Sequence, residues 1–194
     1  MFSYRLLVTA AIVSGFCLIS LLTSAQDSLG LYQQPDSAFP CSLDPKARAF
    51  DFWIGEWDAY ITGTQKLAGH SVIQAASGGC MLLENWTSAK ARYTGKSMNF
   101  IDAATGKWQQ VWVGSEGGGQ HVFVNGEYRD SAMRFDFEQK SPDGRPQKGR
   151  FTFFNQASGQ VRQLNETSDD DGKTWKTQYD LTYIRHPAHT GASH

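Results

Sequence analysis

The stretch that decides the fold is residues 96–114, with the sequence KSMNFIDAATGKWQQVWVG. Two short runs that carry aromatic and aliphatic residues flank the sequence Ala-Ala-Thr-Gly, which has the composition of a tight turn. Two such runs joined by a few turn residues that include glycine predict an antiparallel β-hairpin. Residues 96–102 and 107–114 are therefore expected to be neighbouring strands, and the same arrangement recurs in both directions along the chain.

Short strands between turn residues continue over nearly the whole chain after Ile54. The breaks are rich in Gly or Asp, as in GGG at residues 117–119 and DDDG at residues 169–172. Because no later segment shows a sustained helical period and no long crossover separates the strands, we predict an all-β fold. It is an antiparallel up-and-down barrel of about ten strands, whose closure removes exposed edges. The predicted strands are residues 57–62, 67–76, 80–89, 96–102, 107–114, 120–128, 132–139, 150–155, 161–166 and 174–185.

Asn125 and Gly126 form an ambiguous point within the sixth predicted strand. The pair is typical of a tight hairpin turn, but a β-bulge would place the same residues inside an unbroken strand. Both interpretations stay open from the sequence. A ten-stranded barrel is wide enough to hold a small ligand as well as its own side chains.

The first 25 residues predict a secretory signal peptide. Arg5 is followed by an apolar run from Leu6 to Leu22, and Ala25 supplies the small residue expected before a cleavage site. We expect cleavage between Ala25 and Gln26, which leaves no membrane span and an exported protein, periplasmic or extracellular. The alternative is an uncleaved anchor, because the apolar run approaches the ~17–20 residues that span a bilayer.

The remaining chain predicts one domain with short extensions. Residues 26–45 are polar and contain prolines, which indicates an N-terminal arm. Residues 47–54 fit a short helix that follows Asp44 as its N-cap. The barrel domain is expected to span residues 46–186, and residues 187–194 to form a flexible tail.

Composition excludes several classes of function. The 194 residues carry 18 Lys+Arg and 19 Asp+Glu, a net charge of −1, without a long basic run. The chain therefore lacks the clustered positive face of a nucleic-acid-binding protein. Aromatic residues make up 13% of the chain and charged residues 19%, which excludes a disordered protein and fits a compact, aromatic-rich globular domain.

Removal of the signal peptide takes Cys17 with it and leaves Cys41 and Cys80. An even pair of cysteines in an exported chain predicts a disulfide, which would close a loop of about 40 residues and stabilise the fold by roughly 3–4 kcal/mol. The alternative is two buried thiols that do not pair. Neither cysteine has a Cys or His neighbour at metal-ligand spacing, so no metal site is predicted.

Four motifs occur in order along the chain. They are FDFWIGEWD at residues 50–58, GGCMLLENW at 78–86, DAATGKW at 102–108 and DGKTW at 171–175. Together they resemble a family of exported bacterial proteins of unknown function, over roughly residues 41–185. The resemblance implies a lipocalin-like (calycin) barrel and export, and it brings no established activity and no catalytic residues.

The Gly-x-Trp sequence in the first motif is also similar to that of lipocalins and related calycin barrels. In those barrels the tryptophan sits at the closed end and an arginine from a late strand packs across it. The resemblance gives this barrel-closing role to Trp57, with Arg185 as the first candidate partner and Arg162 as the second. A guanidinium group stacked on an indole contributes ~0.5–2 kcal/mol. The chain departs from the family pattern at Asn165, where an aromatic residue is expected, and this departure could alter the cavity wall.

Residues 168–175, SDDDGKTW, fit the Asp-box motif that sialidases carry once per propeller blade. That motif is a hairpin in which an aspartate caps backbone amides, a glycine adopts a positive φ and a tryptophan anchors the turn. One copy cannot build a propeller, so we predict a structural hairpin.

Glu84 is the first candidate for chemistry. In an alternating strand it shares one face with Leu82 and Trp86. A carboxylate on an apolar, inward face would have a raised pKa, suited to general acid or base catalysis. The alternative, and the commoner arrangement, is a salt bridge between Glu84 and an Arg or Lys of a neighbouring strand. Both assignments depend on the register, because a slip of one residue reverses every face.

Trp108, Gln110 and Trp112 share one face of another strand, with a polar group between two large rings. With Glu84 and Trp86 they form the predicted ligand-binding set. That composition suits an amphipathic ligand, and plain packing of an aromatic core gives the same pattern.

These residues support three hypotheses. The first is an exported barrel that binds a small apolar or amphipathic ligand. The second is an enzyme, an isomerase, cyclase or hydrolase, that uses Glu84 as acid or base with His121 or Arg162 as its helper. The third is a structural envelope protein whose interior is filled, and a cavity below ~300 Å³ would favour it.

A haem-binding barrel similar to nitrobindin is a further alternative, because such barrels hold haem through one histidine. His121 and His70 are the histidines within predicted strands. No partner motif supports either as a haem ligand, so no cofactor is predicted.

Overall fold

The computed structural model describes residues 39–187 of the chain. The predicted signal peptide, and most of the predicted arm and tail, lie outside the described residues. The described chain is all-β, a ten-stranded antiparallel barrel, which confirms the predicted fold class. The strands are β1 (Gly55–Ile61), β2 (Leu67–Ala76), β3 (Met81–Ser88), β4 (Thr94–Ile101), β5 (Trp108–Gly114), β6 (Gln120–Arg129), β7 (Ala132–Lys140), β8 (Pro146–Asn155), β9 (Val161–Ser168) and β10 (Lys176–Arg185).

The strands follow an up-and-down order around the barrel. Each strand pairs antiparallel with the next in sequence, and β10 pairs with β1 to close the sheet. In the closing pair Trp57 lies opposite Arg185, and Ile61 lies opposite Leu181. Closure pairs the two strands that would otherwise be sheet edges.

Short helical segments precede the barrel. The helix α1 spans Pro40–Leu43, and a 3₁₀ turn spans Asp51–Trp53. Within residues 47–54, where a short helix was expected, the structure has this single 3₁₀ turn, and residues 47–50 form turns. Asp44 Oδ1 accepts a hydrogen bond from the Lys46 amide at 2.9 Å and starts a series of turns. No helix in the described part of the chain is both long and apolar enough to cross a membrane.

Asn125 and Gly126 lie within β6 and form a β-bulge, not a hairpin turn. The register of β5 against β6 shifts here, since Trp108 pairs with Gly126 whereas Gln110 pairs with Phe123. Asn125 adopts a φ of 57°. A bulge increases local twist and lets the strand bend around the barrel.

A packed aromatic core fills one end of the barrel, which we call the closed end. Phe50 and Trp53, from the segment before β1, stack on each other with ring centroids 5.1 Å apart. Phe153 of β8 lies 5.1 Å from the Phe50 ring and 4.7 Å from the Trp53 ring. All three side chains are fully buried, so the segment before β1, residues 40–54, closes this end of the barrel; we call it the plug segment.

Arg185 packs across the closed end. Its guanidinium carbon lies 3.8 Å from the ring centroid of Trp57, and its Nη1 donates to the Ile54 carbonyl oxygen at 2.6 Å. Trp57 Nε1 donates in turn to the Trp53 carbonyl oxygen at 2.8 Å. Gly55 leaves room for this arrangement, because a Cβ there would lie 1.8 Å from Arg185 Nη1. The Gly-x-Trp sequence is therefore explained by the space that the arginine occupies.

A disulfide joins Cys41 of α1 to Cys80, just before β3, as the sequence predicts. The two cysteines are 39 positions apart. Arg48 hydrogen-bonds the Gly79 carbonyl oxygen beside it. The bond and the arginine together tie the plug segment to the loop between β2 and β3.

The loop between β9 and β10 is a hydrogen-bonded hairpin. Asp170 Oδ1 accepts the Thr174 amide at 2.8 Å, and Ser168 Oγ accepts the Gly172 amide at 2.8 Å. The polar residues of the Asp-box motif thus bond to the backbone of their own turn.

Candidate functional site

A cavity of about 500 Å³ occupies the barrel interior beyond the closed end. Whether an inward-facing residue lines the cavity or belongs to the core depends on its distance from the closed end along its strand. Leu82 and Trp108 belong to the core, whereas Glu84 and Gln110, two positions further along the same strands, line the cavity. The volume lies within the ~300–1,000 Å³ of small-molecule sites, so side chains alone do not fill this interior.

The wall of the cavity is largely aromatic. Phe123 lies 5.2 Å from Phe137 and 4.7 Å from Phe151, measured between ring centroids. On the other side, the Trp86 and Tyr183 rings are 6.3 Å apart. The other end of the cavity, which we call the mouth, is lined by exposed polar residues. They are Glu116, Gln120, His121, Glu138, Gln139 and Gln178.

Glu84 is a buried carboxyl group at the inner part of the cavity, with a residue exposure of 2%. Its strand lies between β2 and β4, and each neighbour supplies one serine. Ser71 Oγ donates to Glu84 Oε1 at 2.8 Å, and Ser97 Oγ donates to Oε2 at 2.8 Å. Each carboxyl oxygen therefore has one donor from the protein and retains further capacity to accept.

The hydrogen bond from Ser97 is fixed in direction by two amides. Asn99 Nδ2 donates to Ser97 Oγ at 2.9 Å, and Gln110 Nε2 donates to the same oxygen at 3.2 Å. A hydroxyl has two lone pairs and one hydrogen, so with both lone pairs occupied its hydrogen is directed to Glu84. The network consequently favours an unprotonated Oε2.

Burial raises the pKa of the Glu84 carboxyl group from 4.5 to about 7. Removal from water disfavours the charged form, and the two serine hydrogen bonds offset only part of this effect. The carboxyl group thus titrates near neutral pH, where both protonation states are populated. Such a group can donate or accept a proton, or bind a cation.

Gln110 contributes an acceptor without a partner. Its Oε1 is buried and has no hydrogen-bond partner among the described residues. The side chain is 2% exposed and lines the cavity. Gln110 and Glu84 both hydrogen-bond to Ser97, so the amide and the carboxyl group belong to one network, and a ligand that donates hydrogen bonds would complement it.

Two tryptophans of the wall lie over glycines. A Cβ at Gly69 would come within 2.5 Å of Trp86 Cζ2, and a Cβ at Gly95 would come within 2.1 Å of Trp112 Cζ2. Trp112 Nε1 also donates to Tyr93 Oη at 3.2 Å. The glycines leave the space in which the rings lie, so they help to set the cavity wall.

The charges that line the cavity have one sign. Glu84 lies inside, Glu116 and Glu138 lie at the mouth, and no Lys or Arg of residues 39–187 is among the lining residues. His121 is the one histidine among the lining residues of this part of the chain. The cavity is therefore an acidic environment with aromatic walls.

Four of the five predicted ligand-binding residues line this cavity: Glu84, Trp86, Gln110 and Trp112. Trp108 does not, because it lies one layer deeper. It is buried in the core, its ring is 5.7 Å from Phe50, and its Nε1 donates to the Lys46 carbonyl oxygen at 3.2 Å.

The prediction of a salt bridge between Glu84 and a neighbouring Arg or Lys is wrong. Among the described residues, the hydrogen-bond partners of the Glu84 carboxyl group are Ser71 and Ser97. Arg162 does not assist it either. Arg162 forms a two-point ion pair with Asp180, with Nε–Oδ1 at 2.9 Å and Nη2–Oδ2 at 2.6 Å. Both lie on the outer face, because Gln163, the next residue of β9, is the one that lines the cavity.

His121 lines the mouth, and its side chain is exposed. The registers place Glu84 opposite Ser97, Ser97 opposite Trp112, and Trp112 opposite His121. Three strand spacings thus separate His121 from Glu84, or roughly 14 Å along the sheet. The two groups do not form a direct acid–base pair.

The cavity lining does not fit a haem. His121 is the one histidine that lines it in the described chain, and it lies at the exposed mouth. Haem propionates are anionic, and the lining offers them acids in place of Lys or Arg. His70, the other histidine considered, lies outside the cavity.

His70 is part of a cluster on the outer wall. Asp58 Oδ1 lies 2.6 Å from His70 Nδ1 and 2.7 Å from His186 Nδ1. Ligand atoms of the three side chains lie within 4.8 Å of one another, so they are a set of described residues able to hold a divalent cation. In the structure, the Asp58 carboxylate on β1 links His70 on β2 to His186, the residue that follows β10.

Sequence reasoning missed Ser71, Ser97 and the buried Asn99, which build the hydrogen-bond network around Glu84. Serine and asparagine occur on either face of a strand, so composition gave no signal. The network is visible only when cross-strand register is known, because Ser97 pairs directly with Glu84.

Comparison with models of known protein families gives no match. A search of curated proteins gives no significant relative.

Proposed function

We propose that this chain is an exported barrel that binds one small apolar or amphipathic ligand. The observation that carries the proposal is the cavity of about 500 Å³, with aromatic walls and two buried polar side chains, Glu84 and Gln110. Small-molecule sites have this composition, in which apolar surface supplies affinity and a few polar groups fix orientation. The lipocalin-like order of the strands, closed at one end by the plug segment, agrees with this use.

Export is supported by the disulfide between Cys41 and Cys80. Disulfides persist in oxidising compartments and are rare where thiols are kept reduced. The predicted signal peptide adds an independent argument from the sequence, since it places the chain in such a compartment.

Binding can be tested with N-phenyl-1-naphthylamine, a neutral dye whose fluorescence rises in apolar surroundings. We expect saturable binding with one dye per chain. The cavity-filling variant Asn165→Phe should weaken it by about tenfold or more, because the new ring would occupy part of a site whose binding energy scales with buried apolar area. Asn165 lines the cavity and is 6% exposed.

Leu164→Phe is the matched control, because it adds an aromatic ring at the adjacent position of β9, on the outer face. Its dye affinity should equal that of the unmodified protein. Equal affinity in both variants, or no saturable binding by the unmodified protein, would overturn the proposed binding function.

A second candidate function is acid–base catalysis in the same cavity. It is favoured by one observation, the carboxyl group of Glu84 with a pKa of about 7 inside a cavity. In an enzyme, Glu84→Gln would retain substrate where the unmodified protein holds product. Small molecules that copurify with the two proteins should then differ in chromatographic retention and fragmentation. Identical compounds in both preparations would exclude this candidate and leave the binding function.

A further inference from the structure

Two groups in the inner part of the cavity retain capacity to accept hydrogen bonds. Glu84 has one serine donor on each oxygen, and Gln110 Oε1 has no donor among the described residues. Both side chains are 2% exposed. A buried acceptor left without a donor costs free energy, so the ligand that complements this part of the cavity must donate hydrogen bonds.

The charge of the cavity indicates which chemical class of hydrogen-bond donor the ligand carries. Within residues 39–187 the lining contains three carboxyl groups and no Lys or Arg. When Glu84 is ionised, its charge inside the barrel has no Lys or Arg of the described chain beside it, because its partners are two neutral hydroxyls. A cationic donor would supply both the hydrogen bond and the missing charge, whereas an anionic ligand would be repelled.

The aromatic wall suits the rest of such a ligand. The rings of Trp86, Trp112 and Tyr183 line the same cavity as Glu84, and their faces attract cations as well as apolar groups. The mouth acids Glu116 and Glu138 would raise the local concentration of a cation as it approaches.

From these features we propose that the cavity selects small amphipathic organic cations, aromatic or aliphatic amines whose ammonium group binds Glu84 and Gln110 Oε1 while the apolar body packs against the aromatic wall. The proposal rests on the proposed binding function and specifies its ligand class. It needs no residue outside the described chain.

Three ligands with one ring system test it: tryptamine, tryptophol and indole-3-propionate. They carry an ammonium group, a hydroxyl group and a carboxylate on similar side chains. Isothermal titration calorimetry at neutral pH should rank tryptamine first and indole-3-propionate last. Tryptamine should bind about tenfold or more tightly than tryptophol, the effect expected from a charge-assisted hydrogen bond with cation–π contacts.

Two variants test whether Glu84 is the residue that causes the preference for tryptamine over tryptophol. In Glu84→Gln the preference for tryptamine over tryptophol should fall several-fold, because the amide keeps the shape and removes the carboxylate charge, while the aromatic wall and the mouth acids remain. Glu56→Gln is the matched control, since Glu56 is exposed on the outer face of β1, and it should keep the full preference.

The outcomes separate the two proposals. If the neutral dye binds but tryptamine binds no better than tryptophol or indole-3-propionate, the amine proposal is overturned and the binding function stands. If the preference persists undiminished in Glu84→Gln, Glu84 is not the site of the cation and the proposal is overturned as well. If neither the dye nor the indole ligands bind, the binding function itself fails.

Discussion

The Ser97 hydroxyl donates to Glu84 Oε2 at 2.8 Å while it accepts hydrogen bonds from Asn99 and Gln110. This relationship between Ser97 and Glu84 orients the carboxyl group and stabilises its ionised form. A buried acid held by two hydroxyls, with no cation beside it in the described chain, is the chemical centre of the cavity.

Replacing Ser97 by alanine should raise the pKa of the Glu84 carboxyl group above its value of about 7. The Ser97 hydrogen bond lowers this pKa in the unmodified protein, so its removal leaves the effect of burial less opposed. Titration of the side-chain carboxyl carbon of Glu84 by NMR would measure the change, with Glu84→Gln used to assign the resonance. An unchanged or lower pKa in Ser97→Ala would contradict the assigned direction of the hydrogen bond.

The stability of the folded chain should fall as pH rises from about 4.5 to about 7, through the contribution of Glu84. Its folded pKa lies near 7 and its ordinary value is 4.5, so within this window the folded state binds more protons than the unfolded state. The contribution is fully present below pH 4.5 and lost above pH 7, and it amounts to roughly 3 kcal/mol.

Urea unfolding of the unmodified protein and of Glu84→Gln, at several pH values across this window, measures that contribution. The other ionisable groups that line the cavity are the same in both proteins, so the difference between the two proteins isolates Glu84. The difference in free energy of unfolding should grow with pH in favour of the variant. A difference that is independent of pH would refute the raised pKa.

Gly95→Ala should move the Trp112 ring, since the new Cβ would lie 2.1 Å from Trp112 Cζ2. The ring must shift from the position in which it donates to Tyr93, so the near-ultraviolet circular dichroism of tryptophan should change and dye affinity should fall. Gly144→Ala is a control with open space around the residue, although its positive φ adds backbone strain at the surface. An unaltered Trp112 signal in Gly95→Ala would show that the glycine does not set the wall.

Loss of the disulfide should destabilise the plug at the closed end. Replacing both Cys41 and Cys80 by alanine removes a link across 39 positions, with an expected loss of about 3–4 kcal/mol in the free energy of unfolding. Reductant should produce a similar loss in the unmodified protein and none in the double variant. Equal free energies of unfolding for the unmodified protein with its disulfide intact and for the double variant would contradict this role.

The closed end of the fold could be predicted from the sequence largely because its signals are local or shared with known barrels. Turn residues between short apolar runs predicted the strands, and the Gly-x-Trp sequence led to Trp57 and Arg185, which are in contact. The plug itself was predicted less well. Phe50 and Trp53 were placed in a helix, whereas burial against Phe153 holds them in turns and one 3₁₀ segment.

The cavity was harder to predict because depth along the barrel and cross-strand register are three-dimensional properties. Trp108 and Trp112 share a face, but only the structure shows that one lies in the core and the other at the cavity. Along β9 the inward face carries Gln163 and Asn165, so hydrophobicity did not distinguish it from the outer face with Arg162.

The most direct test of the account follows the six tryptophan indole resonances in proton–nitrogen correlation NMR spectra while N-phenyl-1-naphthylamine is added. Trp86 and Trp112 line the cavity, whereas Trp53 and Trp57 lie in the core at the closed end. We expect the resonances of Trp86 and Trp112 to shift and saturate at one equivalent of dye, while those of Trp53 and Trp57 change little. Shifts confined to the closed-end tryptophans or to the surface, or no saturable shift at all, would contradict a ligand-binding cavity.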